Sequence, residues 1–110
     1  MEIRVRESAG APVVAVSGKL DALSVGDYEK AMNRLFADGK ARFVVDFADL
    51  TYISSAGLRA ILAAAKELKA RGGQAAFANV RGNVLNVIEM TGFASILSLH
   101  ESVDAALKAL

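Results

Sequence analysis

The hydrophobic pattern changes its period in the middle of the chain, and this change limits the folds that the chain can adopt. Residues 43–47 are an almost continuous apolar run, which is typical of a strand that is buried on both faces. From Leu58 to Leu68 the apolar residues recur every three or four positions, as in a helix that packs one face on a core. A buried strand followed directly by an amphipathic helix predicts an α/β fold.

The other apolar segments continue this alternation of strands and helices. The sequence predicts strands over residues 3–7, 12–17, 42–48, 74–78 and 96–99. It predicts helices over residues 55–71 and 83–90, a helix that follows Ser24 and a terminal helix that Ser102 caps. The order β-β-α-β-α-β-α-β-α predicts a mixed, mostly parallel sheet of four to five strands packed with about four helices. Because no linker or repeat interrupts the pattern, residues 1–110 are expected to form a single domain.

Composition excludes several classes of protein. The chain is 54% hydrophobic and 23% charged, which is typical of a globular domain and not of a disordered segment. A net charge of +1 with interspersed signs gives no field that would attract nucleic acid or a membrane surface. There is no cysteine, no signal-peptide pattern and no apolar run near the roughly 20 residues that span a bilayer. We therefore expect a cytoplasmic protein without direct membrane contact or bound nucleic acid.

Side chains that could carry catalysis are few. His100 is the only histidine, and a serine hydrolase would need a base beside its nucleophile and an acid to orient that base. The Gly-x-Ser-x-Gly elbow, a phosphate-binding loop and a set of metal ligands are all absent from the sequence. We expect no enzymatic activity, no cofactor and no metal site, while weak nucleotide binding stays open.

Two serines lie where the helix of residues 55–71 is predicted to begin. The first backbone N–H groups of a helix lack partners, and the helix dipole favours negative charge there. Ser54 or Ser55 could therefore cap the helix, which is the ordinary role of such a serine, or carry a phosphate. The residues by themselves leave both roles open.

The segment around these serines resembles the STAS domain family, the sulfate transporter and anti-sigma factor antagonist module. Residues 49–58 read Asp-Leu-Thr-Tyr-Ile-Ser-Ser-Ala-Gly-Leu, similar to the family pattern of Asp-Leu/Val-Ser/Thr, an apolar pair and Asp-Ser-Ser/Thr-Gly-Leu. Residues 17–21 and 90–93 are also similar to family segments, so the resemblance spans almost the whole chain. The sequence departs from the pattern at Ser54, where the family often has Asp, and at Ala56, where a hydroxyl is common.

The resemblance implies the STAS fold and a role as an anti-sigma factor antagonist. The serine that the family phosphorylates lies two positions before the glycine, which corresponds to Ser55. Asp21, Thr51 and Ser54 are then expected to shape the partner-binding edge around Ser55, and Gly57 to allow close approach of a partner backbone. A carboxylate in a loop is often simply solvated, which is the alternative for Asp21. Tight helix packing is the alternative for Gly57.

In this interpretation the protein regulates transcription by partner switching. The unphosphorylated domain binds an anti-sigma factor that is also an ATP-dependent serine kinase, and so frees the sigma factor. Phosphorylation of Ser55 reverses the binding, and a serine phosphatase restores it. We expect a monomer, because the aromatic residues, Tyr28 and Tyr52 among them, mostly fall on predicted core faces.

A second interpretation keeps the fold and omits the switch. Related single-domain STAS proteins serve as constitutive subunits of membrane transport assemblies of the ABC type. A permanent subunit has no use for a change of charge, and Ser54 in place of the usual Asp favours this alternative.

Overall fold

The structure, a computed structural model, describes residues 1–110. Its strands are β1 (Glu2–Ser8), β2 (Ala11–Leu20), β3 (Arg42–Asp46), β4 (Leu50–Ile53), β5 (Gln74–Ala78) and β6 (Ser98–His100). Its helices are α1 (Val25–Ala37), α2 (Ser55–Ala70), α3 (Gly82–Met90) and α4 (Val103–Lys108), with one turn of 3₁₀ helix at Phe93–Ser95. No helix is long and apolar enough to cross a membrane.

The strands form one mixed sheet in the order β1-β2-β3-β5-β6, with β4 paired to the end of β2. Only β1 and β2 are antiparallel, and Ala9 and Gly10 connect them with positive φ angles of 51° and 81°. Two residues with positive φ make the tight turn that matches the twist of a hairpin. All other pairs are parallel, so the predicted α/β fold with a mostly parallel sheet is confirmed.

Both faces of the sheet are covered, which explains the continuous apolar run in β3. On one face, α1, α2 and α3 cover the main core of 20 buried residues, and on the other face α4 covers a smaller cluster of five. Val45 points into the main core, whereas its neighbour Val44 packs with Ala106 of α4. Neighbouring residues of a strand point to opposite faces, so a strand between two helical layers must be apolar throughout.

The structure adds a sixth strand to the four or five that were expected. β4 is only four residues long, and its middle residues Thr51 and Tyr52 are exposed, so its sequence resembles a connecting loop. β2 also continues to Leu20, three residues further than predicted, through an irregularity of register between Gly18 and Lys19. The extension of β2 supplies the edge on which β4 pairs.

Candidate functional site

The ends of β2 and β4 meet the start of α2 at one edge of the sheet. Leu20 pairs with Ile53, and the backbone N–H of Ser54 donates to the carbonyl of Leu20 at 2.9 Å. We call this region, residues 18–24 and 50–57, the Ser55 edge. In open α/β sheets the carboxyl ends of strands are where ligands and partners bind, because loops and helix N-termini converge there.

Ser54 is the residue that caps α2. Its backbone is extended, with φ −95° and ψ 174°, and its hydroxyl accepts a hydrogen bond from the N–H of Gly57 at 3.2 Å. Its carbonyl accepts the N–H of Leu58 at 2.9 Å. An extended serine that accepts from the third helical N–H is the preferred N-cap arrangement. The hydroxyl of Ser54 is therefore already engaged in a hydrogen bond that stabilises the start of α2.

Ser55 is the first residue of α2, and its side chain is exposed. Because Ser54 already caps the helix, the hydroxyl of Ser55 is free from that structural role. The first turn of α2 contains no acidic residue, so no carboxylate of that turn opposes an added negative charge. Unpaired N–H groups at a helix start favour an anion at this position.

Asp21 shapes the loop between β2 and α1. Its Oδ1 accepts hydrogen bonds from the N–H groups of Leu23 at 3.0 Å and Ser24 at 3.2 Å. The hydroxyl of Ser24 in turn donates to the carbonyl of Lys19 at 2.7 Å. A carboxylate that accepts from the backbone two and three residues ahead holds a turn in one conformation. Asp21 is thus half-buried and structured, not a freely solvated carboxylate, and it lies directly after Leu20 at the Ser55 edge.

Thr51 ties β4 to the irregular end of β2. Its hydroxyl donates to the carbonyl of Gly18 at 3.0 Å, and the N–H of Gly18 donates to the carbonyl of Asp49 at 3.0 Å. The side chain of Thr51 stays exposed at the surface of β4. The structure therefore places Asp21, Thr51, Ser54 and Ser55 in one region, as the sequence predicts.

Gly57 packs against the end of β2 within this chain. It is buried, and a Cβ built on it would lie 2.5 Å from the carbonyl oxygen of Leu20 and 2.9 Å from its Cγ. The absence of a side chain lets the first turn of α2 approach the end of β2 within this chain. This contact supports the packing alternative for Gly57, and close approach of a partner backbone at Gly57 stays a prediction.

Two residues of the Ser55 edge have exposed apolar side chains, which the sequence pattern does not indicate. Leu23 is 97% exposed in the turn that Asp21 holds, and Tyr52 is 42% exposed on β4. Tyr52 was expected on a core face, but the buried residues of β4 are Leu50 and Ile53. An apolar Leu inside a predicted polar loop was the available signal for Leu23. Both side chains are therefore accessible at the Ser55 edge.

The histidine lies away from this edge. His100 belongs to β6, at the opposite end of the strand order from β1 and β2, and its Nε2 is 2.7 Å from the hydroxyl of Ser98. A nucleophilic serine would need such a base within hydrogen-bond reach. In the sheet, however, β3 and β5 lie between the strand of His100 and β2, which forms the Ser55 edge. No group of three His, Cys, Asp or Glu side chains is arranged to hold a metal ion.

Comparison with known proteins identifies relatives over the whole fold. The STAS domain family model matches residues 2–106. BtrV of Bordetella bronchiseptica, which bears the name of an anti-sigma factor antagonist, is 30% identical over 106 residues, or 96% of this chain and 91% of BtrV. An anti-sigma factor antagonist from Mycobacterium paratuberculosis has a crystal structure that superposes with a TM-score of 0.89, at 27% identity over 98% of this chain and 92% of that one.

More distant structures share the fold. The phosphorylated form of the Bacillus cell fate determinant SpoIIAA superposes with a TM-score of 0.75, at 17% identity over 98% of both chains. At this identity the likeness concerns the fold alone. Together with the match to residues 2–106, these relatives show that the chain belongs to the STAS domain family.

Proposed function

We propose that this chain is an anti-sigma factor antagonist whose binding is switched off by phosphorylation of Ser55. The proposal rests on the different surroundings of the two serines at the start of α2. Ser54 caps the helix, whereas Ser55 presents a free, exposed hydroxyl. The names of the two relatives above support the general function. The kinase, the phosphatase and the modified residue are our inference from the family pattern and this geometry.

Phosphorylation at Ser55 is compatible with the fold. A phosphate adds about 1.5 to 2 negative charges at neutral pH and three acceptor oxygens. The free N–H groups and the dipole at the start of α2 favour this charge. The side chain points away from the buried core, so the phosphate needs no cavity. The main effect is therefore on the surface and not on the packing.

The same phosphate opposes docking of a partner. Leu23 and Tyr52 are exposed apolar side chains of the two segments that form the Ser55 edge, and in this proposal the partner covers them together with the serine. Removing water from a doubly charged phosphate is strongly unfavourable unless the partner supplies matching charges. A surface that fits the neutral hydroxyl therefore loses affinity for the phosphorylated form. Asp21 and Thr51 contribute by keeping the two loops that carry these contacts in place.

In this scheme the chain supplies no catalysis. An anti-sigma factor with serine kinase activity binds the unphosphorylated form and transfers phosphate from ATP to the hydroxyl of Ser55, releasing ADP. A serine phosphatase hydrolyses the phosphate ester and regenerates the binding form. Transcription by the freed sigma factor then follows the ratio of the two forms.

Affinity capture from native cell lysate tests the proposal. Ser55→Ala, Ser55→Asp and wild type serve as baits, and mass spectrometry quantifies anti-sigma factors with a serine kinase domain. We expect Ser55→Ala to capture at least about ten times more of this kinase than Ser55→Asp, because the aspartate places an unmatched negative charge in the interface. Ser102→Asp is the matched control, because Ser102 is also an exposed serine at a helix start, on α4.

Equal capture by the Ala and Asp variants would refute the charge switch. Capture of a membrane transport ATPase in equal amounts by all baits would support the alternative of a constitutive transporter subunit. Melting curves of every bait separate loss of binding from loss of folding, since Ser55 is exposed and both variants should fold normally.

A further inference from the structure

The outer edge of β1 is unpaired. β1 is the first strand in the sheet order and pairs only with β2, so alternate backbone N–H and C=O groups along β1 face away from the sheet. Exposed strand edges are places where another strand can add, and many proteins protect them with charged residues. Glu2, Arg4 and Arg6 of β1 would protect this edge only if every register of an added strand placed like charges opposite each other.

In one antiparallel register, however, two β1 strands place only complementary side chains opposite each other. If a second copy pairs about a two-fold axis at Ile3, residue Met1 lies opposite Val5 of the second copy, and Glu2 lies opposite its Arg4. Apolar residues then meet apolar residues, and both charge pairs have opposite signs. Opposite charges and apolar pairs across strands are stabilising, whereas like charges directly opposite are destabilising.

Neighbouring registers lack this agreement. An axis at Arg4 would also pair Glu2 with Arg6, but it would place two arginines directly opposite each other on the axis. An axis at Val5 would place Arg4 opposite Arg6 on both sides of the axis. Of these axes, only the one at Ile3 places no like charges opposite each other. The alternating pattern of β1 therefore selects one register and disfavours the adjacent ones.

The face of β1 that carries the apolar residues borders an open groove. Met1, Ile3 and Val5 line one side, and α1 lines the other with charged residues that include Lys30 and Arg34. The groove has a volume of about 640 Å³, and Val5 is 53% exposed in it. A strand added to β1 would place its own Met1, Ile3 and Val5 over this groove, because residues opposite each other in a ladder point to the same face.

We infer that two copies of this chain associate through antiparallel pairing of β1 about Ile3, and that the apolar residues of each copy cover the groove of the other. This replaces the expectation of a monomer, which considered only the aromatic residues. A five-residue strand pair with this groove is smaller than the roughly 1,600 Å² of a standard stable interface. The dimer is therefore weak and depends on protein concentration.

Sedimentation velocity over a series of concentrations tests this pairing. The mass of the wild type should rise from 11.5 kDa towards twice that value as the concentration approaches about 1 mM, where even millimolar affinity becomes visible. Glu2→Lys and Arg4→Glu should each remain monomeric, because each places like charges opposite each other. An equimolar mixture of these two variants should associate again, because Lys at position 2 then faces Glu at position 4, and Arg4 faces Glu2.

The mixture separates pairing between copies from any effect within one chain. Glu2 and Arg4 also form a 2.9 Å salt bridge within β1, but both side chains are mostly exposed and neither variant regains that bridge on mixing. Glu7→Lys and Arg6→Glu make the same changes of net charge outside the paired segment and should dimerise like the wild type. Three results would overturn the inference: a wild type that stays monomeric at every concentration, a dimer that both charge reversals leave intact, and a mixture that remains monomeric.

Discussion

Ser54 and Ser55 are adjacent in the chain, but their hydroxyls lie in different surroundings. The hydroxyl of Ser54 accepts from the N–H of Gly57, while the side chain of Ser55 is exposed on the first residue of α2. The difference arises from the backbone, which is extended at Ser54 and helical from Ser55 onward. One serine therefore maintains the helix, and the other can be modified without removing its cap.

This division predicts unequal effects on stability. Ser54→Ala should lower the free energy of unfolding by about 1 kcal/mol, because the N–H of Gly57 loses its acceptor. Ser54→Asp should retain most of the stability, since Asp is also a good N-cap. Ser55→Ala should change it by less than about 0.5 kcal/mol, as expected for an exposed position. Urea unfolding of the three variants gives these values, and equal losses at both serines would contradict the assignment.

Tyr28 predicts how stability changes at high pH. Burial raises the pKa of the Tyr28 phenol above its ordinary value of 10.0. Above pH 10 the unfolded chain releases a proton that the folded chain keeps, so the free energy of unfolding falls as the pH rises further. Tyr28→Phe removes this proton and should make the fall less steep. Urea unfolding at several pH values between about 9 and 11 measures both slopes, and parallel slopes would contradict the prediction.

At the scale of the element, the position of α2 depends on Gly57. A Cβ at this residue would lie 2.5 Å from the carbonyl oxygen of Leu20, so the helix would have to move away from β2. Gly57→Ala should therefore destabilise the protein by about 2 kcal/mol, as overpacking does in other cores. The shift would also disturb Ser55, which lies in the same helical turn.

Gly26 in α1 is the matched control for Gly57. It also lies in the first turn of a helix, but a Cβ there would have no atom within 4 Å and its φ is not positive. Gly26→Ala should stabilise the protein slightly, by up to about 1 kcal/mol, because alanine favours the helix. Opposite signs for the two substitutions in thermal unfolding would confirm the packing role of Gly57, and a similar gain at both would contradict it.

The elements differ in how well the sequence predicts them. α2 was predicted over residues 55–71 and spans Ser55–Ala70, because its apolar residues repeat over four turns against one core. β4 was not predicted, because two of its four residues are exposed and its partner is the irregular end of β2, which is far away in the sequence. Long periodic elements carry their own signal, whereas short strands depend on tertiary contacts.

The candidate site was predictable to a similar degree. The family pattern brought Asp21, Thr51, Ser54 and Ser55 together, and the structure places them in one region. It could not distinguish which serine caps α2, since both side chains are suited to that role. Gly57 of α2 is buried against Leu20 of β2, which lies far away in the sequence, so only the folded chain reveals this contact.

For the whole molecule, the sheet separates a large core from a small one, and the side chain of Ser55 lies outside both. The main core contains Leu58 and Ile61 of α2, but Ser55 is exposed. A phosphate on Ser55 therefore changes the surface charge of the molecule without entering either core. The modified and unmodified forms should share one fold and differ in what they bind.

Mass spectrometry of the protein purified from its native cells is the decisive test of phosphorylation at Ser55. The chain is purified under several growth conditions, its intact mass is measured before and after treatment with a phosphatase, and fragmentation assigns the modified residue. We expect one phosphate, on Ser55, in a fraction that varies with conditions, with Ser54 unmodified. A chain that is unmodified under all conditions, or phosphate on Ser54 in place of Ser55, would contradict this expectation.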